Sequence, residues 1–320
     1  MPAFNQTRRV NEHTTLIDIG MFGVAEVAGV YLVEGEKSCL IDSGSQKEAK
    51  GLVKALKSMG AFPPDKVILT HAHYDHAQGV PLMVRQAESK GEKIEIMASR
   101  EAVPLLADAR YNDPFNKGPY ESITGVDPLD EGDLVDLGGV ILEVLDAPGH
   151  SKDHIAIFDQ QNKTLFVGDA VGIWIDNQTY LPPFMPPSWN PESFSSTINK
   201  LRNINYDQLC LAHFGVVSKQ EGDKLLDEAE EKTAAWWRLF EENEDKLEQP
   251  AMLLEEVKSS IDPPMPERAI ISPTLKVLYT MMVAGKKLTG KEPQPLSEIS
   301  LLGVLEFLAS GYKTYQQSSA

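Results

Sequence analysis

A chain of 320 residues with 42% hydrophobic content can bury one large core and still carry an accessory domain. Its 47 acidic residues outnumber 30 basic ones, giving a net charge of -17, which counts against non-specific binding to nucleic-acid phosphates. Two cysteines offer no disulfide framework, and the polar opening MPAFNQTRRV lacks an apolar signal region. No run reaches the roughly 18 apolar residues that span a bilayer. The expectation is a cytoplasmic protein acting on a small molecule, with no nucleic acid and no membrane segment.

In chain order, residues 15–20 and 24–44 are rich in β-branched residues, and Gly-Glu-Lys at 35–37 separates YLVE from SCLID, as the turn of a hairpin does. Asp42, Ser43 and Gly44 close the second strand of that hairpin. Residues 47–60 place Leu52, Val53, Leu56 and Met59 at helical spacing and end on Gly60, which predicts a packing helix. The stretch 67–79, VILTHAHYDHAQG, differs in kind. Its apolar strand runs without a turn into His71, His73, Asp75 and His76, and two His one residue apart project from the same side of an extended segment. Asp75 and His76 open a helix in which Ala77 and Gly79 let the backbone come close. Several imidazoles beside a carboxylate suit zinc, iron or manganese rather than calcium.

Residues 80–90 read as a further helix and 94–98 as a strand. Strands ending near 147, 158, 167 and 212 follow, and the alternation predicts an α/β sandwich of two sheets with helices outside. His150 in APGHS, Asp169 in LFVGDA and His213 in CLAHFG each follow a short apolar run, so seven ligand-type residues sit at strand ends. His154 begins the strand 154–158 and is read as a group supporting the ligands from behind. Cys39 and Cys210 lie in apolar strands and read as core. His13, in the polar N-terminal stretch, receives no role.

Two segments break the pattern: 108–125, with Tyr111, Phe115 and Tyr120, and 174–189, with Trp174, Tyr180, Phe184 and Trp189. Long aromatic-rich loops line pockets, so these seven residues form the expected substrate-binding set. Residues 219–246 are charge-rich with an apolar helical stripe. Helices near 250–260, 273–288 and 296–312 follow, separated by DPPMPER and GKEPQPL, whose prolines stop each one. The expected organisation is a catalytic domain over 1–218 and a C-terminal α-helical domain over 219–320, which could shape the pocket or make a homodimer.

The set HxHxDH, then GH, GD and a late His before FG, resembles the metallo-β-lactamase superfamily over roughly residues 15–220. The resemblance implies a four-layer αβ/βα sandwich with a C-terminal helical extension. It also implies two transition-metal ions, zinc first and iron or manganese as alternatives. His71, His73 and His150 would hold the first ion, Asp75, His76 and His213 the second, and Asp169 would bridge them. Asp42 would lie beneath the site and, with His154, orient ligands from behind. A metal-bridging hydroxide would attack an ester or thioester carbonyl, and Asp75 would be the catalytic group that takes and returns its proton.

Three departures shape the expectation further. True β-lactamases of this fold usually have Cys where this chain has Asp169, which argues against antibiotic hydrolysis, and the usual HxGG ending is altered to Ala77, Gln78, Gly79. Many homoserine-lactone hydrolases place a Tyr three residues after the bridging Asp, where this chain has Gly172, so lactonase falls behind thioesterase. Within the family the chain looks most similar to the branch of the quinolone-signal response protein and its relatives. A mononuclear-iron persulfide dioxygenase and a regulatory protein acting through a partner are the remaining alternatives.

Overall fold

The computed structural model describes residues 7–115, 118–175, 179–213, 215–261 and 296–319. The first sheet has seven strands in sequence order: β1 (Thr7–Arg9), β2 (Thr14–Asp18), β3 (Gly29–Glu34), β4 (Ser38–Ile41), β5 (Lys66–Leu69), β6 (Glu95–Ser99) and β7 (Val126–Leu129). Strands β1 to β4 pair antiparallel, and β4 to β7 pair parallel. The expected hairpin is β3–β4, with Glu34 opposite Ser38. The second sheet uses β8 (Leu134–Asp136), β9 (Ile141–Asp146), β10 (Ile155–Asp159), β11 (Thr164–Gly168), β14 (Gln208–Leu211) and β15 (Gly215–Ser218). Its order is β15-β14-β11-β10-β9-β8.

Period-two alternation decides which layer each side chain joins. Along β4, Cys39 and Ile41 face a core between the sheets, where Phe166, Ile155, Ile157 and Cys210 meet them. Leu40 points the other way, into a cluster with Leu52, Val53 and Leu56. These three line the inner face of α1 (Ala49–Met59), which ends on Gly60 at φ 73°. Both cysteines are buried and free, and burial pushes the Cys39 thiol up to about 12. The helices α2 (Tyr74–Ala77), α3 (Val80–Glu88) and α4 (Ala102–Ala107) follow β5 and β6. The result is helix, sheet, sheet, helix: the four-layer αβ/βα sandwich.

On the outer side of the second sheet lie α5 (Pro191–Arg202), α6 (Lys219–Glu242), α7 (Pro250–Ser260) and α8 (Leu296–Ser319), with α6 against the sheet and α7 and α8 packed on α6 and on each other. Ser218 and Glu221 form a capping box that starts α6. Past that cap, Leu226, Trp236, Leu253 and Leu308 bury themselves in the same cluster as Phe158, Val167 and Leu209 of the sheet. The helix expected at 273–288, and the Pro-rich breaks around it, lie outside the described residues. Among the described residues, no helix is long and apolar enough to cross a membrane.

The segment 174–189 differs from its expectation as an irregular pocket-lining loop. It contains a hairpin of β12 (Ile173–Ile175) and β13 (Thr179–Leu181), and Trp174, Tyr180, Phe184 and Trp189 are all buried in the cluster on the second sheet. Phe184 lies among Trp189, Trp237 and Phe240 at centroid distances of 5.7, 5.7 and 5.4 Å. Tyr180 hydrogen-bonds Thr233 of α6. The physical reason is area: each large ring buried here contributes hydrophobic free energy that it would forgo as a lid.

The inter-sheet core yields a stability prediction. Phe166 is 1% exposed and packs edge-on against Tyr31 at 5.2 Å. Phe166→Ala should cost about 3–5 kcal/mol and Ile157→Val about 0.5–1.5. Urea denaturation of the two variants checks this, and equal small losses would mean the two sheets do not share a tight core.

Candidate metal centre

Strand β5 ends at Leu69; a bent connection carries His71 and then His73, the latter with extended backbone at the start of α2, which brings Asp75 and His76. The β9–β10 connection brings His150, the end of β11 brings Asp169, and the end of β14 brings His213. Three overlapping groups of donor atoms, each within 4.8 Å of one another, result: His71, His73 and His150; His71, His76 and Asp169; and Asp75, His76 and His213. Asp169 Oδ2 lies 3.4 Å from His76 Nε2, 3.6 Å from His150 Nε2 and 3.7 Å from His213 Nε2. His213 Nε2 is also 3.6 Å from Asp75 Oδ2. All seven sequence-predicted ligand residues therefore meet in one place.

Local backbone features aim them. The β11–β14 register shifts between Phe166 and Gly168, and such an irregularity re-aims the residue that follows. Gly168 has φ 50°, and a Cβ there would come within 2.6 Å of His154 Nε2. At Gly79 a Cβ would overlap the Ser43 carbonyl, which explains the small residue after the HxHxDH run. Ser43 in turn donates N–H and Oγ–H to the His76 carbonyl at 2.7 and 2.8 Å.

Each histidine that offers Nε2 to the centre has its other nitrogen held from behind. His76 Nδ1 meets Asp42 Oδ2 at 2.9 Å, His150 Nδ1 donates to the Pro183 carbonyl at 2.8 Å, and His213 Nδ1 donates to the Val27 carbonyl at 3.0 Å. His71 Nδ1 lies 3.1 Å from Thr70 Oγ1. Holding one ring nitrogen fixes the tautomer and leaves the other as a donor of its lone pair. Asp42 adopts φ 62°, a left-handed conformation that a short polar side chain tolerates, and it also accepts the Thr70 N–H at 2.8 Å. His154 Nε2 accepts the Asp169 N–H at 3.0 Å and its ring stacks on His71 at 4.9 Å. It thus stands behind the ligand-type residues.

The electrostatics divide the rings into two sets. Burial lowers His71 well below its ordinary value, with the neighbouring rings of His76 and His73 adding to it, and lowers His73 to about 3. Burial also opposes charge on His76 and His213, but the Asp169 carboxylate outweighs it, and both are raised. Burial would raise Asp169; His76 and His213 overcome this and hold it well below the carboxylate range. His71 Nε2 and Asp169 Oδ1 are buried and make no hydrogen bond among the described residues. Buried donors and acceptors are seldom left unpaired, and neutral imidazole nitrogen plus carboxylate oxygen is the donor set for transition-metal ions. The residues fit two such ions.

Of the expected pocket residues, the first segment gathers beside His73. Phe115 meets its ring edge-on at 4.9 Å, Tyr111 lies parallel to it at 6.1 Å, and Tyr74 connects Phe115 to Tyr120 at 5.4 and 5.8 Å. Trp174, Tyr180, Phe184 and Trp189 are buried in the cluster on the second sheet. Sequence reasoning missed Pro183 and Val27, whose contribution is a main-chain carbonyl that no side-chain pattern announces. It also missed Asp153, whose Oδ2 accepts the Ala72 N–H at 2.7 Å between the two histidines of the strand end.

The profile of the metallo-beta-lactamase superfamily matches residues 27–213, and the chain belongs to that family. Among similar proteins, the acyl-coenzyme A thioesterase MBLAC2 of Gallus gallus is 31% identical over 161 residues, 45% of this chain and 57% of the relative. A hydroxyacylglutathione hydrolase of Hydrogenovibrio crunogenus is 26% identical over 155 residues, 47% of this chain and 44% of the relative. The aligned part thus spans about half the length of these relatives. An archaeal superfamily protein from Sulfolobus tokodaii superposes with a TM-score of 0.56 at 17% identity, covering 90% of this chain and 93% of that one. A B3 metallo-beta-lactamase with an active-site glutamic acid gives 0.55 at 18% identity, over 72% and 88%. These likenesses show the fold.

The Asp42–His76 contact generates a prediction. Asp42→Asn keeps the shape but removes the carboxylate behind His76, and should weaken one of two bound Co(II) ions by roughly 10 to 100-fold. Spectroscopic titration of the metal-free protein measures it; unchanged affinity for both ions would remove Asp42 from the centre.

Proposed function

We propose that this chain is a dinuclear metal-dependent hydrolase that cleaves ester or thioester carbonyls. The observation that carries the reading is the position of Asp169 Oδ2, within 3.7 Å of ring nitrogens from His76, His150 and His213, which suits a carboxylate shared by two ions. In this reading His71, His73 and His150 hold one ion, Asp75, His76 and His213 the other, and zinc is the preferred metal. The catalytic unit is 1–218 and the helices of 219–320 are accessory to it. The relatives named as acting on acyl-coenzyme A and hydroxyacylglutathione support an acyl group carried on a thiol.

Bound ions would supply Lewis acidity toward the carbonyl oxygen and water whose pKa falls toward about 7. The chain's own residues do the rest. His71 and His73 stay neutral because burial opposes their protonation, so their lone pairs remain available at neutral pH. Asp75 is the most open of the carboxylates, its side chain 17% exposed against 6% for Asp169, which supports the reading in which it takes a proton and returns it to the leaving thiol or alcohol. Phe115, Tyr111 and Tyr120 are the proposed wall for the acyl group. A lactonase-type Tyr at position 172 would not fit, since a Cβ on Gly172 would lie 2.7 Å from Tyr180 Oη.

Two outcomes test this. The purified protein should carry close to two transition-metal ions per chain, and Asp169→Ala should lose most activity and weaken both ions, whereas His154→Ala changes activity only modestly. Elemental analysis with cobalt titration decides; one tightly held iron and oxygen uptake on a persulfide would replace the hydrolase with a dioxygenase.

A panel of acyl-CoA thioesters, S-acyl glutathiones, homoserine lactones and phosphodiesters should show turnover of the first two. Phe115→Ala should change the ranking of acyl groups, while Asp75→Asn should depress kcat for all of them. Preference for phosphodiesters would sink the carbonyl reading.

A further inference from the structure

The C-terminal helix α8 crosses the 183–185 segment at a point where a side chain has no room. A Cβ at Gly311 would overlap the Phe184 carbonyl oxygen, lie 2.8 Å from its carbon and 3.1 Å from the Met185 carbonyl carbon. One residue earlier, the Pro183 carbonyl accepts the His150 Nδ1–H at 2.8 Å and the Met185 N–H at 2.9 Å. The backbone that α8 presses is therefore the backbone that fixes the His150 ring. Phe184 anchors it, fully buried against Trp237 and Phe240, and Tyr312 of α8 packs on the same two rings at 4.6 and 5.8 Å.

A second, separate contact runs from α8 to the same group of donors. Phe307 lies 6.0 Å from Phe115, whose ring meets His73 edge-on at 4.9 Å. His73 Nδ1 and His150 Nε2 face each other at 2.9 Å. Two routes from one helix thus end on the two rings that converge.

We propose that α8 is a positioning element of the metal centre, acting through Gly311 and the Pro183 carbonyl on His150 and through Phe307 and Phe115 on His73. The proposal rests on the reading of these two residues as ligands of one ion. Loss of the glycine contact displaces residues 183–185, and with them the acceptor that holds His150 as the Nδ1–H tautomer. The ring then loses the orientation that points Nε2 at the centre. An ion held by His71, His73 and His150 is affected, and one held by Asp75, His76 and His213 is not.

The test uses Co(II) alone, titrated into the full-length metal-free protein and followed by its visible spectrum, so it needs no substrate. Gly311→Ala should weaken one of the two ions by roughly 10 to 100-fold and leave the other within about twofold. Nitrogen NMR of the histidine rings should show the Nδ1–H form of His150 in the wild type and a mixture in the variant. Leu226→Ala, a core truncation in the first half of α6 at a residue in neither route, should lower Tm without separating the two affinities. If Gly311→Ala does not fold, Phe307→Ala replaces it, with the same selective loss expected through His73. Equal affinities to wild type in the folded variant, or an equal fall in both ions, overturn the proposal. Absence of turnover on every thioester, with the selective cobalt loss intact, would count against the hydrolase reading and leave this one standing.

Discussion

The structure depends on keeping seven ligand-type side chains dry in one pit. Polar groups removed from water without partners cost several kcal/mol each by transfer estimates, so an arrangement of this kind survives only where each group is answered. The protein answers from behind: Asp42, Val27 and Pro183 take the back nitrogens of His76, His213 and His150, and the His154 ring takes the Asp169 amide. At the front the groups have chiefly one another. Two carboxylates raise His76 and His213, while burial depresses His71 and His73. This division of charge is what a pair of cations would complete.

The sandwich makes that concentration of ligands affordable in backbone terms. Parallel pairing of β11 with β14 brings the ends of both strands to the same edge, so Asp169 and His213 arrive together. On the facing sheet β5 lies parallel to β4, which sets Asp42 and Ser43 beside the His71 to His76 run. Neither pairing is local in sequence. The site is therefore a property of two sheets closing on each other, and the inter-sheet core around Phe166, Ile157 and Cys39 acts at a distance on the spacing of the donors.

How far the sequence carried depended on which part of a residue does the work. Strand ends and the α1 helix were legible because periodicity and glycine caps are side-chain signals, and His71, His73, Asp75, His76, His150, Asp169 and His213 converge because ligand chemistry needs those side chains. The carbonyls of Pro183 and Val27 had no such signature. The packing of the 174–189 segment was not legible for a different reason: its prolines and polar residues resemble a loop, whereas the partners that bury its rings, Thr233, Trp237 and Phe240, lie some fifty residues further on. Their proximity is created by folding α6 back onto the sheet, which no local pattern encodes. The helix expected at 273–288 lies outside the described residues.

The burial of that segment bears on where selectivity can reside. A metal-assisted attack treats activated carbonyls much alike, so discrimination belongs to the pocket walls. The segment 183–190 is fully engaged in orienting His150 and in filling the core: Gly149 accepts the Asn190 N–H at 2.9 Å and Phe184 is buried. Substitution there would alter the donors before it altered a substrate. The 108–125 segment meets the centre through ring contacts of Tyr111 and Phe115 with His73 and through hydrogen bonds of Asn112 to the Ala72 carbonyl and of Glu121 to Gln78; the ring contacts are the part that tolerates exchange of one large apolar side chain for another. Both aromatic segments therefore bear on a histidine, one through the Pro183 carbonyl on His150 and the other through Phe115 on His73, and the second also supplies the rings proposed above as the wall for the substrate.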